Sequence, residues 1–132
     1  MKSLFRLGLS VQLTLVVLGA LAAYVGVMPA APFGAVPHLD FFLHIIMIGG
    51  LAFFLDGTLE HRALWRGRGS LAGALVLGVA GIEEWAQRLS PRRSSTISDF
   101  VADTLGVVFF VWLARRVGRA DQRRNDAPAS AA

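Results

Sequence analysis

The chain has 132 residues, 55% of them hydrophobic, no cysteine and a formal net charge of +4. That length bounds it to one domain, and a mean hydropathy of +0.57 is too apolar for an ordinary soluble core of this size. The lack of cysteine excludes a disulfide framework and thiolate chemistry. Although the pI is near 11.0, the arginines flank hydrophobic segments and lie on no continuous basic face, so positive-inside anchoring explains them and no nucleic-acid partner is expected.

The first apolar run, Leu7 to Met28, has 22 residues without a formal charge and follows Lys2 and Arg6. It is long enough for one transmembrane helix. A secretory signal peptide is the competing reading, opposed by a run longer than the usual ~7–15-residue apolar region. Gly19 with Ala23, and Ala22 with Gly26, are four apart and offer close-packing faces for another helix or a second copy of the chain. Residues 29–37 contain three prolines and no Lys or Arg, and read as a loop.

A second span is expected over about 37–56, with its apolar heart from Phe41 to Leu55 and His44 inside it. Residues 57–68 form a polar loop carrying His61, Arg62, Arg66 and Arg68. The third span, about 69–88, is charge-free only to Ile82, so membrane length brings Glu83, Glu84 and Gln87 into its last turns. The fourth, about 96–115, has an uncharged run of only 11 residues, Thr104 to Ala114, which places Asp99 and Asp103 in the helix as well. Residues 118–132 read as a disordered tail. The expected fold class is all-α: a polytopic membrane protein, a four-transmembrane-helix up-down bundle over residues 1–117. A three-span form, with the third or fourth segment lying at the interface, is the alternative.

Of the 13 Lys and Arg residues, 10 fall at the N-terminus, in the second loop and in the tail, which makes that face cytoplasmic, with both termini on it. Arg88, Arg92 and Arg93 then lie in an extracytoplasmic third loop, against the rule. Their counterweight is acidic, because Asp40, Glu83, Glu84, Asp99 and Asp103 sit at the outward ends of the second, third and fourth spans. Residues three or four apart share a helix face. Asp40 and His44 do so, as do Glu84 and Gln87, and as do Asp99, Asp103 and Gly106. Charge facing lipid is disfavoured, so these stripes are expected to turn inward to a shared pocket with the loop arginines closing over it.

At these residues the sequence resembles the VanZ-like family of small bacterial integral membrane proteins. The matching text is Asp40-Phe41-Phe42-Leu43-His44, Glu84-Trp85-Ala86-Gln87, Pro91-Arg92-Arg93, and Asp99 to Gly106 with Asp103 between them. Two positions depart from the family pattern: Phe41 stands where the family has Lys, and Asp103 where it has Asn. The resemblance implies a multi-pass protein of the bacterial cytoplasmic (inner) membrane and brings no established reaction with it.

Two functional classes follow. In the first, the pocket binds or processes an anionic lipid-linked envelope substrate: Arg92 and Arg93 pair with its headgroup, Asp40, Gln87 and Asp99 help hold it, and His44, Glu84 and Asp103 are the candidates for proton transfer. In the second, the protein is a non-enzymatic accessory, structural or transporter-like component, and the same polar cluster clamps the helices together. Thr96 to Asp99 also fits a helix capping box, which accounts for Asp99 without chemistry. His38, Asp40, His44 and Glu84 have the ligand types of a zinc site but no short motif of ligand spacing, so neither a metal nor a cofactor is expected.

Overall fold

The computed structural model describes residues 2–25, 38–87 and 97–126, which form four α-helices: α1 (Lys2–Val25), α2 (Leu39–Thr58), α3 (Leu71–Gln87) and α4 (Ile97–Asp126). α1, α2 and α4 are each long and apolar enough to cross a membrane. Four hydroxyls inside them are satisfied locally: Thr14, Thr58 and Thr104 each donate to the carbonyl four residues back at 2.8 Å, as Ser10 does at 3.1 Å.

Two boundaries differ from expectation. α3 starts at Leu71 because Gly69 (φ 73°) takes a left-handed turn and the Ser70 hydroxyl then caps the helix, accepting the Gly73 N–H at 3.1 Å. Its 17 residues give about 26 Å, short of the ~30 Å hydrocarbon core. α4, by contrast, runs on to Asp126, through residues assigned to the disordered tail. Arginine and alanine are good helix formers, and Arg123 and Arg124 in the last turn oppose the negative end of the helix dipole.

Close approaches fix how the helices run. Phe5 stacks on Phe53 and the Gln12 amide donates to the Met47 carbonyl at 2.9 Å, so α1 and α2 are antiparallel. α3 runs antiparallel to α4, with Gly73 against Val107 and Gly81 against Phe100. α2 and α4 make the most extensive contact and are parallel, since His44 meets Asp103 and, further along both, Asp56 meets Arg115. The up-down order is therefore present. The bundle is open on one side, however, because among the described residues α1 packs directly on α2 alone.

The α2–α4 crossing depends on small residues. A Cβ at Gly106 would lie 2.5 Å from the Ile45 carbonyl oxygen, and one at Gly49 would lie 2.9 Å from the Gly106 backbone. Ala52, Val76, Val107 and Val111 form the apolar core beside that crossing. Gly73 and Gly81 also have neighbours and Gly69 belongs to a turn, whereas Gly19, expected on a close-packing face, meets open space, as does Gly78.

Polarity is inverted relative to a water-soluble fold. Asp56 and Asp103 are buried, while Leu7, Val11, Leu18, Val79, Ile82, Val108 and Phe109 are exposed. Trp85 is exposed towards one end of the bundle, and Trp65 and Trp112 towards the other.

Candidate functional site

The acidic end is assembled from α2, α3 and α4. One turn inside α2, the His44 Nδ1 shares a hydrogen bond of 2.9 Å with the Asp103 Oδ1 on α4. Asp103 is nearly inaccessible and His44 half-buried, so the carboxylate sits behind the ring and the ring faces outward. Asp40, one turn before His44, and Asp99, one turn before Asp103, place ligand-type atoms within 4.8 Å of one another and of the His44 ring. The i,i+4 stripes of two parallel helices thus meet edge to edge.

A cavity of about 210 Å³ opens from this point between α1 and α2. Leu15, Val16 and Gly19 wall it on the α1 side, and Asp40, His44 and Glu83 supply its polar groups. The acid of α3 that lines this cavity is Glu83, whereas the expected polar stripe of that helix runs through Glu84 and Gln87. Glu84 is half-buried, and its Oε1 has no hydrogen-bond partner among the described residues. Gln87 is the last residue of α3. Arg92 and Arg93, and Thr96 of the capping box, lie outside the described residues.

The chemistry available is that of one imidazole among carboxylates. Asp103 fixes the orientation of the His44 ring, which leaves the second ring nitrogen free to exchange a proton with a group in the cavity. Asp40, His44 and Asp99 also have the donor types of a transition-metal or divalent-cation site. Asp99 takes the place there that His38 and Glu84 hold in the sequence-based set, His38 being exposed where α2 begins.

A second polar centre lies at the basic end and was not singled out in the sequence. Asp56, 1% exposed, accepts hydrogen bonds from His61 Nδ1 and from the Ser70 hydroxyl, both at 2.6 Å, and lies 3.6 Å from Arg115 Nε. Arg115 also donates to the Gly69 carbonyl at 3.2 Å. His61 and the preceding Glu60 hold left-handed backbone angles (φ 59° and 55°). The Asp56 carbonyl, accepting the His61 N–H at 2.8 Å, pins that conformation. One sequence signal could have exposed the cluster: Asp56 and Arg115 have the same separation, 59 positions, as His44 and Asp103. The Ser70 hydroxyl donates to Asp56 and accepts the Gly73 N–H, so both of its hydrogen bonds hold the start of α3 in place.

Just past the end of α2 the exposed Glu60 pairs with Lys2, the first residue of α1, at 2.5 Å, and that hydrogen bond holds its carboxyl below the ordinary carboxylate range. Comparison with protein-family models, with curated proteins and with solved structures gives no match for this chain.

Proposed function

We propose that this chain is an integral membrane protein of VanZ-like type, whose acidic end engages the polar group of an amphiphilic, lipid-linked envelope substrate. The membrane assignment rests on the inverted polarity and the three long apolar helices. The observation that carries the site is His44, held by Asp103, at a cavity whose wall on the α1 side is apolar. An amphiphile entering sideways from the bilayer would meet apolar contacts first and the imidazole last. His44 then gives or takes the proton, Asp103 orients it, and Asp40 and Glu83 accept hydrogen bonds from substrate hydroxyls. An anionic headgroup beside so many carboxylates needs a positive partner, the role proposed for Arg92 and Arg93.

In this reading the basic end is cytoplasmic and the acidic end faces outward across a bacterial inner membrane. A reporter fused after Arg93 reads extracytoplasmic and one after Arg66 cytoplasmic; the reverse result removes the proposed orientation.

The competing reading is a polar clamp, favoured by the depth at which Asp103 is buried between α2 and α4. His44→Gln separates the two. If the site is functional, the variant accumulates in membranes at normal levels while the lipid profile of the strain changes as in a deletion. If the variant disappears from the membrane fraction and Asp40→Asn has no effect on the lipids, the pair is a clamp.

A further inference from the structure

The basic end carries an opening that the proposed function does not use. A cleft of about 580 Å³ separates α3 from α4 there, within the ~300–1,000 Å³ typical of ligand pockets. Leu77, Val107 and Val111 line its depth, and Arg115, Arg116 and Arg119 stand along the α4 side. Arg115 and Arg119 are one helical turn apart on a common face. Arg116 stacks over the Trp112 ring at 4.6 Å, at the same cleft.

Three further observations give this cleft a sign. Ser70 and Gly73 line it from the first turn of α3, so the positive end of that helix dipole adds to the arginines. Arg115 Nε is buried without a hydrogen-bond partner among the described residues. Asp56, 3.6 Å away, balances the Arg115 charge and is shared with His61 and Ser70, which leaves Arg116 and Arg119 to face a ligand. The position along the bundle also matters. Trp112 on α4 and the tight turn from Trp65 to Arg68, closed by the Arg68 N–H donating to the Trp65 carbonyl at 2.7 Å, put aromatic and basic side chains together as at a membrane–water interface.

We propose that this cleft is a binding site for an anionic phospholipid of the surrounding bilayer. Its phosphate sits between Arg116, Arg119 and the start of α3, and one acyl chain lies along Leu77, Val107 and Val111. The proposal rests on the membrane reading and is independent of the chemistry at His44. A free phosphate would use the arginines but not the apolar depth, whereas a lipid uses both.

Trp112 reports occupancy once Trp65→Phe and Trp85→Phe make it the sole tryptophan. The full chain is reconstituted in phosphatidylcholine vesicles holding a minor fraction of lipid with brominated acyl chains, either phosphatidylglycerol or phosphatidylcholine. Brominated phosphatidylglycerol is expected to quench Trp112 preferentially, and Arg116→Gln with Arg119→Gln to lower that preference by roughly fivefold per arginine, or roughly 25-fold for both. Inorganic phosphate in the medium leaves the preference unchanged; if it removes the preference, the site takes a free anion and the lipid proposal falls. Equal quenching by the two brominated lipids in a chain that floats with the vesicles overturns the site alone. A chain that does not float with them overturns the membrane reading beneath it. Should the double arginine variant fail to reconstitute, Ala74→Phe, which fills the cleft without changing charge, decides: loss of the preference supports the site and retention overturns it.

Discussion

Replacing Asp56 by alanine is expected to be the most damaging single change to a polar side chain in this protein. The carboxylate accepts two hydrogen bonds of 2.6 Å, stands 3.6 Å from a guanidinium and is 1% exposed. Its loss leaves His61 and Ser70 without their acceptor and Arg115 without its counter-charge. Hydrogen bonds to a charged group contribute ~1.5–3 kcal/mol each, and breaking a buried ion pair from one side costs about 3–5 kcal/mol. The expected loss for Asp56→Ala is therefore about 3–5 kcal/mol. Asp103 makes one such bond, to His44, so on the same ~1.5–3 kcal/mol scale fewer groups are left unmatched by its loss. Unfolding followed by far-UV circular dichroism in micelles should thus rank Asp56→Ala well below Asp103→Ala. Adding Arg115→Met to Asp56→Ala should recover part of the loss, because it removes the stranded cation. A loss below about 1 kcal/mol for Asp56→Ala, or strict additivity with Arg115→Met, would refute the reasoning that the cluster is one coupled unit.

Gly106→Ala drives a methyl group into the Ile45 carbonyl oxygen. It should cost about 1–3 kcal/mol and loosen the His44–Asp103 bond, which the imidazole nitrogen resonances of His44 would register. Gln12→Ala removes the 2.9 Å bond from α1 to the Met47 carbonyl, a loss of about 1 kcal/mol. Since α1 packs on α2 alone, amide exchange should accelerate in α1 before it does in α4. The Lys2–Glu60 pair makes a pH prediction. Lys2 lowers the folded pKa of Glu60, so its stabilising share is complete above the ordinary carboxylate range and is lost as pH falls through the lowered folded value. Glu60→Gln should therefore flatten the acid limb of the stability profile, and only slightly, because the pair is exposed.

The apolar spacing of the chain was enough to place four helices, and the i,i+4 stripes were enough to bring Asp40, His44, Asp99 and Asp103 to one level. Each of those inferences needs only a helix and the cost of facing charge to lipid. What could not be read was rotation. Glu83 and Glu84 are adjacent, so which of them turns to the cavity depends on how α3 rolls against α2 and α4, and that is set by packing at Gly73, Val76 and Ala80 rather than by any local pattern. The Asp56 cluster was missed for a different reason. Its four members come from α2, a loop, the cap of α3 and α4, and no pair of them has the i,i+3 or i,i+4 spacing that marks a shared helix face. The end of α4 was missed because polarity was taken for disorder, although arginine-rich segments form helix readily when a preceding helix supplies the nucleus.

The parallel α2–α4 pair also sets an order of events during synthesis. His44 is made 59 residues before Asp103, which at ~5–20 residues per second is a wait of roughly 3–12 s. Asp56 waits as long for Arg115 but already has His61 five residues later. In the membrane reading, the basic end can therefore begin to close while the chain is still short, whereas the acidic end keeps an unmatched imidazole until the last helix arrives. α4 thus completes both ends of the bundle, but only the acidic end waits for it with its histidine unmatched.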